Sequence, residues 1–247
     1  MNNPVFTFIT VTYNAAETLE RTLQSVACQT YPHIEYILVD GASTDGTLSL
    51  AQRYSHCITK QVSEPDKGLY DAMNKGLKMA TGDYVCFLNA GDKLHDPQTV
   101  QRVEDSMNSE SLPDVIYGQT AIVDADGYFL RMRRLETPEK LEWKDFRQGM
   151  LVCHQSFWAN RILAQQHPYH LNYRFSADFD WCIRIMQHAG YMHNCRLTLV
   201  DYLNEGMTTR NHRASLKERF RIMALHYGLF STIVHHIWFV FRAILKR

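Results

Sequence analysis

The first half of the chain alternates short apolar runs with helical segments, and this order limits the possible folds more than any other feature. The apolar runs have the length and the β-branched and aromatic content of strands: VFTFITVTY, YILVD, CITKQV and DYVCFLN. Between them lie a segment with helical spacing from Ala15 to about Gln29, a helix opened by STDGT, and the helical GLYDAMNKGLKMA. Such alternation predicts an α/β domain in which helices cover a parallel sheet.

The second half is less regular and predicts a mixed continuation of the same domain. DVIYGQTAIVDADGYFLRMRR has the pattern of two strands around an Asp-Gly turn. A helical stretch near LEWKDF, the aromatic-rich HQSFWANR, a helix from about Phe179 and a strand near CRLTLVDYL follow it. Because no linker rich in Pro, Gly or Ser interrupts this order, we predict one domain over residues 1–210 and a helical segment over residues 211–247.

Composition excludes several classes of protein. With 45% hydrophobic residues over 247 positions, the chain can bury a large core, so disorder is not expected. Lys plus Arg and Asp plus Glu number 26 each, which leaves no positive field to attract nucleic acid. Six cysteines without a CxxC pair predict neither disulfides nor structural zinc. The N-terminal run lacks a basic region and predicts a first strand rather than a signal peptide, so a cytoplasmic location is expected.

Several polar side chains follow predicted parallel strands at the point where each strand ends. They are Tyr13 after the first strand, Asp40 after the second, and the turn from Asn89 to Asp92 after DYVCFLN. In open sheets of this class, ligands bind outside the carboxyl ends of the strands, so these residues are predicted to meet at one site. Two local alternatives remain: Asp40 or Asp45 caps the next helix, and Tyr13 packs in the core.

Five segments occur in an order that is more specific than any one of them. They are ITVTYN (9–14), VDGASTDGT (39–47), SEPDKGLYDAMNKG (63–76), GDYVCFLNAGD (82–92) and SADFDWCIR (176–184). With these segments the chain resembles the family 2 inverting glycosyltransferases with the GT-A fold, in particular the bacterial polysaccharide enzymes of the colanic-acid type. The resemblance implies a Rossmann-like nucleotide-binding mixed sheet flanked by helices. About residues 1–110 would bind the nucleotide sugar, and about residues 111–210 the acceptor.

The resemblance implies a nucleotide diphosphate sugar, UDP- or GDP-linked, as the sugar donor. In similar enzymes the turn corresponding to Thr10 to Tyr13 packs on the nucleotide base, and the residues matching Asp40 and Asp66 hydrogen-bond that base. A proline and a glycine around Asp66 mark an irregular turn, which is expected to bring its carboxylate beside the end of the sheet.

The turn that ends at Asp92 corresponds in the family to the site of a divalent cation, Mn²⁺ or Mg²⁺, and His212 is assigned to the same site. A hard cation needs only one or two carboxylates when phosphate and water complete its shell. The commoner family pattern has acidic residues where this chain has Asn89 and Gly91, so Asn89 is expected to contact ribose or a metal-bound water. In GMTTRNHR, Arg210 is assigned to the diphosphate, and a solvated basic loop is the alternative.

An inverting transfer needs a base that takes the proton of the acceptor hydroxyl as its oxygen attacks the anomeric carbon. The family's base corresponds to Asp178, and capping of the helix in SADFDW is the alternative. Asp180 is a second candidate, but its spacing predicts a pair with Arg184 at i+4. His154 and Trp181 are expected to line the acceptor site, where aromatic faces stack on a sugar ring, unless they are core aromatics.

The C-terminal segment predicts an amphipathic helix. Its uncharged run from Gly228 to Phe241 is shorter than the roughly 20 residues that span a bilayer. One helical face carries Leu229, Phe230, Ile233, Val234, Ile237, Phe241, Ile244 and Leu245, widened by Trp238 and Phe239, and the opposite face carries Ser231, His235, Arg242 and Lys246. We expect a peripheral helix on the anionic inner face of the cell membrane, near a lipid-linked oligosaccharide acceptor. Packing on the catalytic domain is the alternative.

Two other functions compete with sugar transfer. A sugar nucleotidyltransferase on a related fold should carry a glycine-rich, basic loop after its first strand, and TVTYNAAETL has no such residue there. A catalytically inactive sugar-binding module could share the whole fold, because a fold does not confer activity. The presence of both Asp92 and Asp178 favours an enzyme over that module.

Overall fold

The computed structural model describes residues 3–108, 111–204 and 212–245. The strands are β1 (Phe6–Thr12), β2 (Ile34–Asp40), β3 (Lys60–Ser63), β4 (Tyr84–Phe87), β5 (Lys93–Leu94), β6 (Val115–Val123), β7 (Phe129–Met132), β8 (Phe157–Asn160) and β9 (Met192–Leu203). The α-helices are α1 (Leu19–Ala27), α2 (Thr47–Arg53), α3 (Leu69–Met79), α4 (Thr99–Ser106), α5 (Arg161–Gln166), α6 (Ala177–His188), α7 (His212–Tyr227) and α8 (Leu229–Leu245). Two short 3₁₀ helices, Trp143–Gln148 and His154–Ser156, precede β8. This order confirms the alternation predicted for the first half.

One mixed sheet organises the domain, in the strand order β3-β2-β1-β4-β8-β6-β9-β5, with β7 paired to β6. β1 pairs in parallel with β2 and β4, and β2 pairs in parallel with β3. Their carboxyl ends therefore share one edge of the sheet, as predicted. β8 runs antiparallel to β4 and β6, while β6 and β9 are parallel, so the second half extends the same sheet.

Successive side chains of the central strands pack into two cores, one on each face of the sheet. Ile9, Ile37 and Phe87 belong to the core that α3 covers, whereas Phe8 and Leu38 belong to the core that α1 covers. This division follows from the alternation of side chains along a strand. Because both faces are covered, most side chains of β1, β2 and β4 are apolar, and their polar side chains, such as Thr10 and Asp40, are buried as well.

The two C-terminal helices differ in how they are attached. α7 places Ile222 and Met223 in the core, but α8 contributes only the buried Thr232 and the partly buried Phe239 among its described side chains. Phe239 therefore does not widen the exposed face, and the prediction that it does is wrong. The exposed side chains are Leu229, Phe230, Ile233, Val234, Ile237, Trp238, Val240 and Phe241. Within the described ranges, no helix combines the length and the apolar character that crossing a bilayer requires.

Candidate active site

A cavity of about 1220 Å³ opens at the carboxyl edge of the parallel strands. Residues that follow β1, β3 and β4 form one side of it, including Tyr13, Asp66, Asn89 and Asp92. Residues from the second half of the chain form the other side: Arg133, His154, Gln155, Asp178, Tyr202 and Arg219. The cavity is large enough for an extended small molecule, and it joins the two halves of the domain.

Tyr13 and Asp66, both predicted to bind the nucleotide, lie in the wall of the cavity. Tyr13 is 69% exposed, so the core-packing alternative is wrong. Oδ1 of Asp66 accepts a hydrogen bond from the backbone N–H of Gly68 at 2.7 Å. A Cβ atom at Gly41 would collide with Oδ2 of Asp66 and would touch the ring of Tyr13. Gly41 thus lies directly behind these two wall residues, and its only sequence signal is its place directly after β2.

Thr10 and Trp181, both predicted to touch a ligand, are core residues. The hydroxyl of Thr10 is fully buried and donates a hydrogen bond to the backbone oxygen of Leu88 at 2.8 Å. The ring of Trp181 is fully buried between aromatic neighbours, stacked on Tyr169 at 5.0 Å and edge-on to Phe87 at 5.6 Å between ring centroids. Neither side chain reaches the cavity, which corrects both predicted contacts.

Asp40 lies beneath the cavity instead of in its wall. It is fully buried, and its carboxylate accepts hydrogen bonds from the backbone N–H of Ser43 and from the hydroxyls of Thr12, Ser43 and Ser63. Burial alone would raise the pKa of Asp40, but these hydrogen bonds outweigh it and lower that pKa below its usual value. The predicted contact with a base is therefore corrected: Asp40 anchors the loop after β2. The N-cap residue of α2 is Gly46, and Asp45, one position before it, accepts a hydrogen bond from the N–H of Thr47 at 2.9 Å.

The turn after β4 carries a buried carboxylate, Asp92. Its Oδ2 accepts a hydrogen bond from Nε2 of Gln155 at 2.8 Å, and its Oδ1 accepts one from the N–H of Leu203 at 3.0 Å. Burial raises the pKa of Asp92 to about 6, although both hydrogen bonds act in the opposite direction. Gly91 has a φ of +101°, and a Cβ there would come within 2.9 Å of Leu203. An acidic residue at that position would be strained in this backbone conformation.

Asn89 and Asp92 offer the hard oxygen ligands that a divalent cation prefers. Oδ1 of Asn89 is buried and has no hydrogen-bond partner among the described residues, and its Nδ2 lies 3.5 Å from Nε2 of His154. An orphaned carbonyl oxygen near a carboxylate fits Mn²⁺ or Mg²⁺ when phosphate and water supply the other ligands. The described part of the chain contains no group of three or more His, Cys, Asp or Glu side chains placed to hold a metal. The described residues therefore offer few ligands of their own.

Two residues assigned to this region cannot be placed. Arg210 lies outside the described residues, in the segment between β9 and α7. His212 is the first residue of α7, but its side chain lies outside the described ones. The roles assigned to both residues stay predictions.

Asp178 lies in the first turn of α6 and faces the cavity. Its Oδ1 accepts a hydrogen bond from the Tyr70 hydroxyl at 3.1 Å, and its Oδ2 lies 3.3 Å from Nδ1 of His154. Burial would raise the pKa of Asp178, but His154, and to a smaller extent Arg219, lower it below its usual value. The carboxylate is therefore charged at neutral pH and can accept a proton from a bound hydroxyl group.

Asp180 is separated from the cavity. Its fully buried carboxylate accepts a hydrogen bond from Nε of Arg184 at 2.7 Å and lies 2.9 Å from Nδ1 of His170 and 2.8 Å from Nε2 of His226. The predicted i,i+4 pair with Arg184 is confirmed. Of the two candidate bases, only Asp178 lies where a ligand can reach it.

Several polar residues of the cavity were not predicted as site residues. They include Tyr70, Arg133, Gln155, Tyr202 and Arg219. Tyr70 lies in the segment SEPDKGLYDAMNKG, which also contains Asp66, and Gln155 directly follows the predicted site residue His154. Arg133 and Arg219 lie in stretches without a motif, so no sequence signal marked them.

A cavity at the carboxyl edge of a parallel sheet, lined by polar side chains and by a carboxylate that a ligand can reach, is typical of an α/β enzyme. The chain belongs to glycosyl transferase family 2, because the model of that family matches residues 7–165. The resemblance carried by the five sequence segments is thereby confirmed.

Named relatives agree with this assignment. A PGL/p-HBAD biosynthesis glycosyltransferase of Mycobacterium tuberculosis is 33% identical over 201 residues, which cover 78% of this chain and 75% of that protein. The amylovoran biosynthesis glycosyltransferase AmsB of Erwinia amylovora is 29% identical over 197 residues, which cover 74% of this chain and 64% of AmsB. The present chain is therefore a glycosyltransferase.

Solved structures show the same fold. Residues 1–349 of S. aureus TarS, in complex with UDP-GlcNAc, match with a TM-score of 0.74 at 19% identity, covering 90% of this chain and 65% of that one. The chain thus spans slightly less than two thirds of that TarS chain. The mannosyltransferase PcManGT from Pyrobaculum calidifontis, in complex with GDP-Man and Mn²⁺, matches with a TM-score of 0.60 at 19% identity, covering 95% and 74%. These similarities confirm the predicted GT-A fold.

Proposed function

We propose that the protein is an inverting glycosyltransferase that moves one sugar from a UDP- or GDP-linked donor to a hydroxyl of a lipid-linked surface-polysaccharide acceptor. The observation that carries this proposal is one cavity that contains both the cation ligands Asn89 and Asp92 and the charged carboxylate of Asp178. The structures of TarS with UDP-GlcNAc and PcManGT with GDP-Man support the donor class. The similarity to AmsB, an amylovoran biosynthesis enzyme, supports a polysaccharide acceptor.

The wall with Tyr13 and Asp66 is suited to the nucleotide. The exposed ring of Tyr13 offers a face for stacking on the base. Oδ1 of Asp66 accepts a hydrogen bond from the N–H of Gly68, and its Oδ2 can accept one from a base N–H. A Mn²⁺ or Mg²⁺ ion held by Asn89 and Asp92 would neutralise the negative charge of the departing nucleotide diphosphate.

The transfer itself is a single displacement at the anomeric carbon. The acceptor oxygen bonds to that carbon from the side opposite the diphosphate, and the bond to the diphosphate oxygen breaks with its electron pair. The hydroxyl proton passes to the carboxylate of Asp178, so no covalent enzyme intermediate forms. Tyr70 and His154 contact that carboxylate through different oxygens and hold it in position for the bound hydroxyl.

A donor-hydrolysis screen tests the proposed function. Without acceptor, UDP- and GDP-sugars are incubated with the protein in the presence and absence of Mn²⁺, and release of UDP or GDP is measured. We expect slow cleavage of donors of one nucleotide class, faster with Mn²⁺. Cleavage of none of these donors would contradict the proposal. Formation of a nucleotide sugar and pyrophosphate from a nucleoside triphosphate and a sugar phosphate would indicate a nucleotidyltransferase instead.

Replacing Gly41 with Ala is expected to raise the KM for the nucleotide sugar about tenfold, with a smaller effect on kcat. The added Cβ would collide with Oδ2 of Asp66 and displace the oxygen proposed to bind the base. Gly46→Ala is the matched control, because its Cβ would make an ordinary contact at 3.6 Å with Ala16. Steady-state kinetics at varied donor concentration give the KM of both variants. A KM of Gly41→Ala equal to that of Gly46→Ala would contradict a role of this wall in donor binding.

The exposed face of α8 supports a location at the inner surface of the cell membrane. Phe230, Ile237 and Trp238 are among eight large apolar side chains of this helix that are exposed. A continuous apolar face of this kind commonly marks an interaction surface. Arg242 follows this face, and two further basic residues end the chain, as suits a helix on anionic lipid. Such a helix would keep the enzyme in the plane that contains a lipid-linked acceptor.

A double variant, Ile237→Glu with Trp238→Glu, is expected to abolish binding to anionic membranes. The wild-type protein should co-sediment at low salt with vesicles of phosphatidylglycerol and phosphatidylethanolamine, because burial of the apolar face and basic charge act together. Phe129→Glu on β7 is the matched control, since Phe129 is a similarly exposed aromatic residue away from α8. Donor hydrolysis should survive in both variants. Wild-type protein that stays in the supernatant, or an equal loss in the control, would contradict the membrane location.

A further inference from the structure

Arg219 lies in the wall of the cavity with hydrogen-bonding capacity that the described residues do not use. It belongs to α7, and its guanidinium lies over the ring of Phe179, with Cζ 5.7 Å from the ring centroid. Its Nε atom is buried and has no hydrogen-bond partner within the described ranges. A guanidinium has five N–H donors and no acceptor, and a buried N–H without a partner is costly. The side chain therefore has a positive charge and, among the described residues, a free N–H donor with which it can bind an anionic ligand.

The carboxylates of the cavity do not serve as that partner. Asp92 already accepts two hydrogen bonds, and Asp178 is held by Tyr70 and His154. No ion pair joins Arg219 to a carboxylate among the residues that the structure describes. The positive charge of Arg219 does contribute to the lowered pKa of Asp178. Because the guanidinium lies over Phe179, the residue that follows Asp178 in α6, it is on the side of the cavity where the proposed base would meet the acceptor hydroxyl.

Arg219 also lies on the helical hairpin that carries the exposed apolar face. The neighbouring residue, Phe220, contacts His236 of α8, with 5.0 Å between their ring centroids. The hairpin therefore presents a cation to the cavity from α7 and an apolar surface to the outside from α8. A phosphate that is attached to a lipid combines the two chemistries that these helices offer.

We propose that Arg219 binds a phosphate group of the acceptor, close to the hydroxyl that receives the sugar. The planar guanidinium matches the geometry of phosphate oxygens and can bind two of them at once. The acceptor class is then a sugar phosphate or sugar diphosphate, and the reaction that supplies it must join a sugar to a phosphate. This inference rests on the proposed function and narrows its acceptor.

Calorimetry on the full chain tests the inference with the nucleotide site already filled by UDP or GDP and Mn²⁺. The probes are glucose 1-phosphate, hexyl phosphate, glucuronic acid and the uncharged hexyl glucoside. We expect the wild type to bind at least one of the two phosphates, and Arg219→Gln to weaken that binding about tenfold or more. Arg219→Lys should retain part of the affinity, because it keeps the charge but loses the fork of donors.

Arg174→Gln is the matched control, because Arg174 is an exposed arginine of the same cavity that stacks on Phe175 in the way Arg219 stacks on Phe179. Its phosphate affinity should change less than about twofold. Thermal unfolding of each variant shows whether the fold is kept. If Arg219→Gln does not fold, the phosphate affinity of Arg219→Lys is compared with that of the wild type instead.

Each result has a defined meaning. Binding of hexyl phosphate alone supports a lipid phosphate, and binding of glucose 1-phosphate supports a phosphate on the sugar. A fall in UDP or GDP affinity in Arg219→Gln would overturn the inference, since the guanidinium would then serve the sugar donor. Equally tight glucuronic acid binding, or an equal loss in Arg174→Gln, would also overturn it. If a nucleotide binds and neither phosphate does, the inference alone fails, whereas a wild type that binds no nucleotide contradicts the proposed function and the inference together.

Discussion

An Asp178→Asn variant is expected to lose about 100-fold or more in kcat, while its affinity for the nucleotide sugar changes less than about twofold. The amide keeps the size of the side chain and can still accept the hydrogen bond from Tyr70, but it cannot take the acceptor proton. Initial rates at saturating donor and acceptor measure kcat, and calorimetry with the nucleotide measures donor affinity.

Asp180→Asn provides the control for this experiment. Asp180 has the same charge two positions away, but its carboxylate is paired with Arg184, His170 and His226 in the interior. Its replacement should lower the unfolding temperature, because buried charged groups lose their partner, and leave kcat per folded molecule nearly unchanged. An active Asp178→Asn variant together with a folded but inactive Asp180→Asn variant would move the base to position 180.

An Asp92→Asn variant is expected to lose about 10²- to 10³-fold in kcat/KM and most of its response to Mn²⁺. The substitution removes the negative charge that would hold the cation, but an amide oxygen can still accept the hydrogen bond from the N–H of Leu203. Kinetics over a range of Mn²⁺ concentrations measure the effect. Undiminished wild-type rates in excess EDTA, or full activity of the variant, would remove the cation role of Asp92.

Asp92→Ala separates the charge of this residue from its structural contacts. Truncation leaves the N–H of Leu203 and Nε2 of Gln155 without their buried acceptor, at a cost of about 1–3 kcal/mol in the free energy of unfolding. Both Asp92 variants should therefore lose activity, but Asp92→Ala should be the less stable of the two, because it loses both acceptors whereas Asp92→Asn loses only the one that faces Gln155. An equal loss of stability in both would mean that the charge itself stabilises the fold.

The parallel half of the sheet could be predicted because its apolar runs are long and bounded by turn residues. The start of α1 could not. The helix begins at Leu19 instead of Ala15, since Asn14 adopts a φ of +49° and its Oδ1 accepts a hydrogen bond from the N–H of Thr44. Residues 16–18 form a turn in which the carbonyl oxygen of Ala15 accepts hydrogen bonds from the N–H groups of Thr18 and Leu19. No pattern within a few residues of Asn14 reveals its contact with the loop after β2.

The candidate site was predictable where a residue follows a strand or opens a helix. Tyr13, Asp66, Asp92 and Asp178 all reach the cavity. Thr10, Asp40 and Trp181 do not reach it, because their side chains are fully buried. These three predictions were wrong because a motif does not distinguish the packed face of a strand or helix from the face that meets a ligand. Every side chain of β1 is buried, for example, so the pattern of this strand contains no alternation that could have excluded Thr10.

The sequence by itself determined the alternation of strands and helices up to β4, the family, and the carboxylates that carry the proposed chemistry, because periodicity and motifs are encoded by residues near one another in the chain. Only the tertiary structure decided which of those groups share a cavity and what each one contacts. Tyr70 and Asp178 are 108 positions apart, yet they share a hydrogen bond, and Arg219 comes from a helix with no motif. Burial, ion pairing and unused hydrogen-bond donors arise only when the sheet and its covering helices bring such distant segments together.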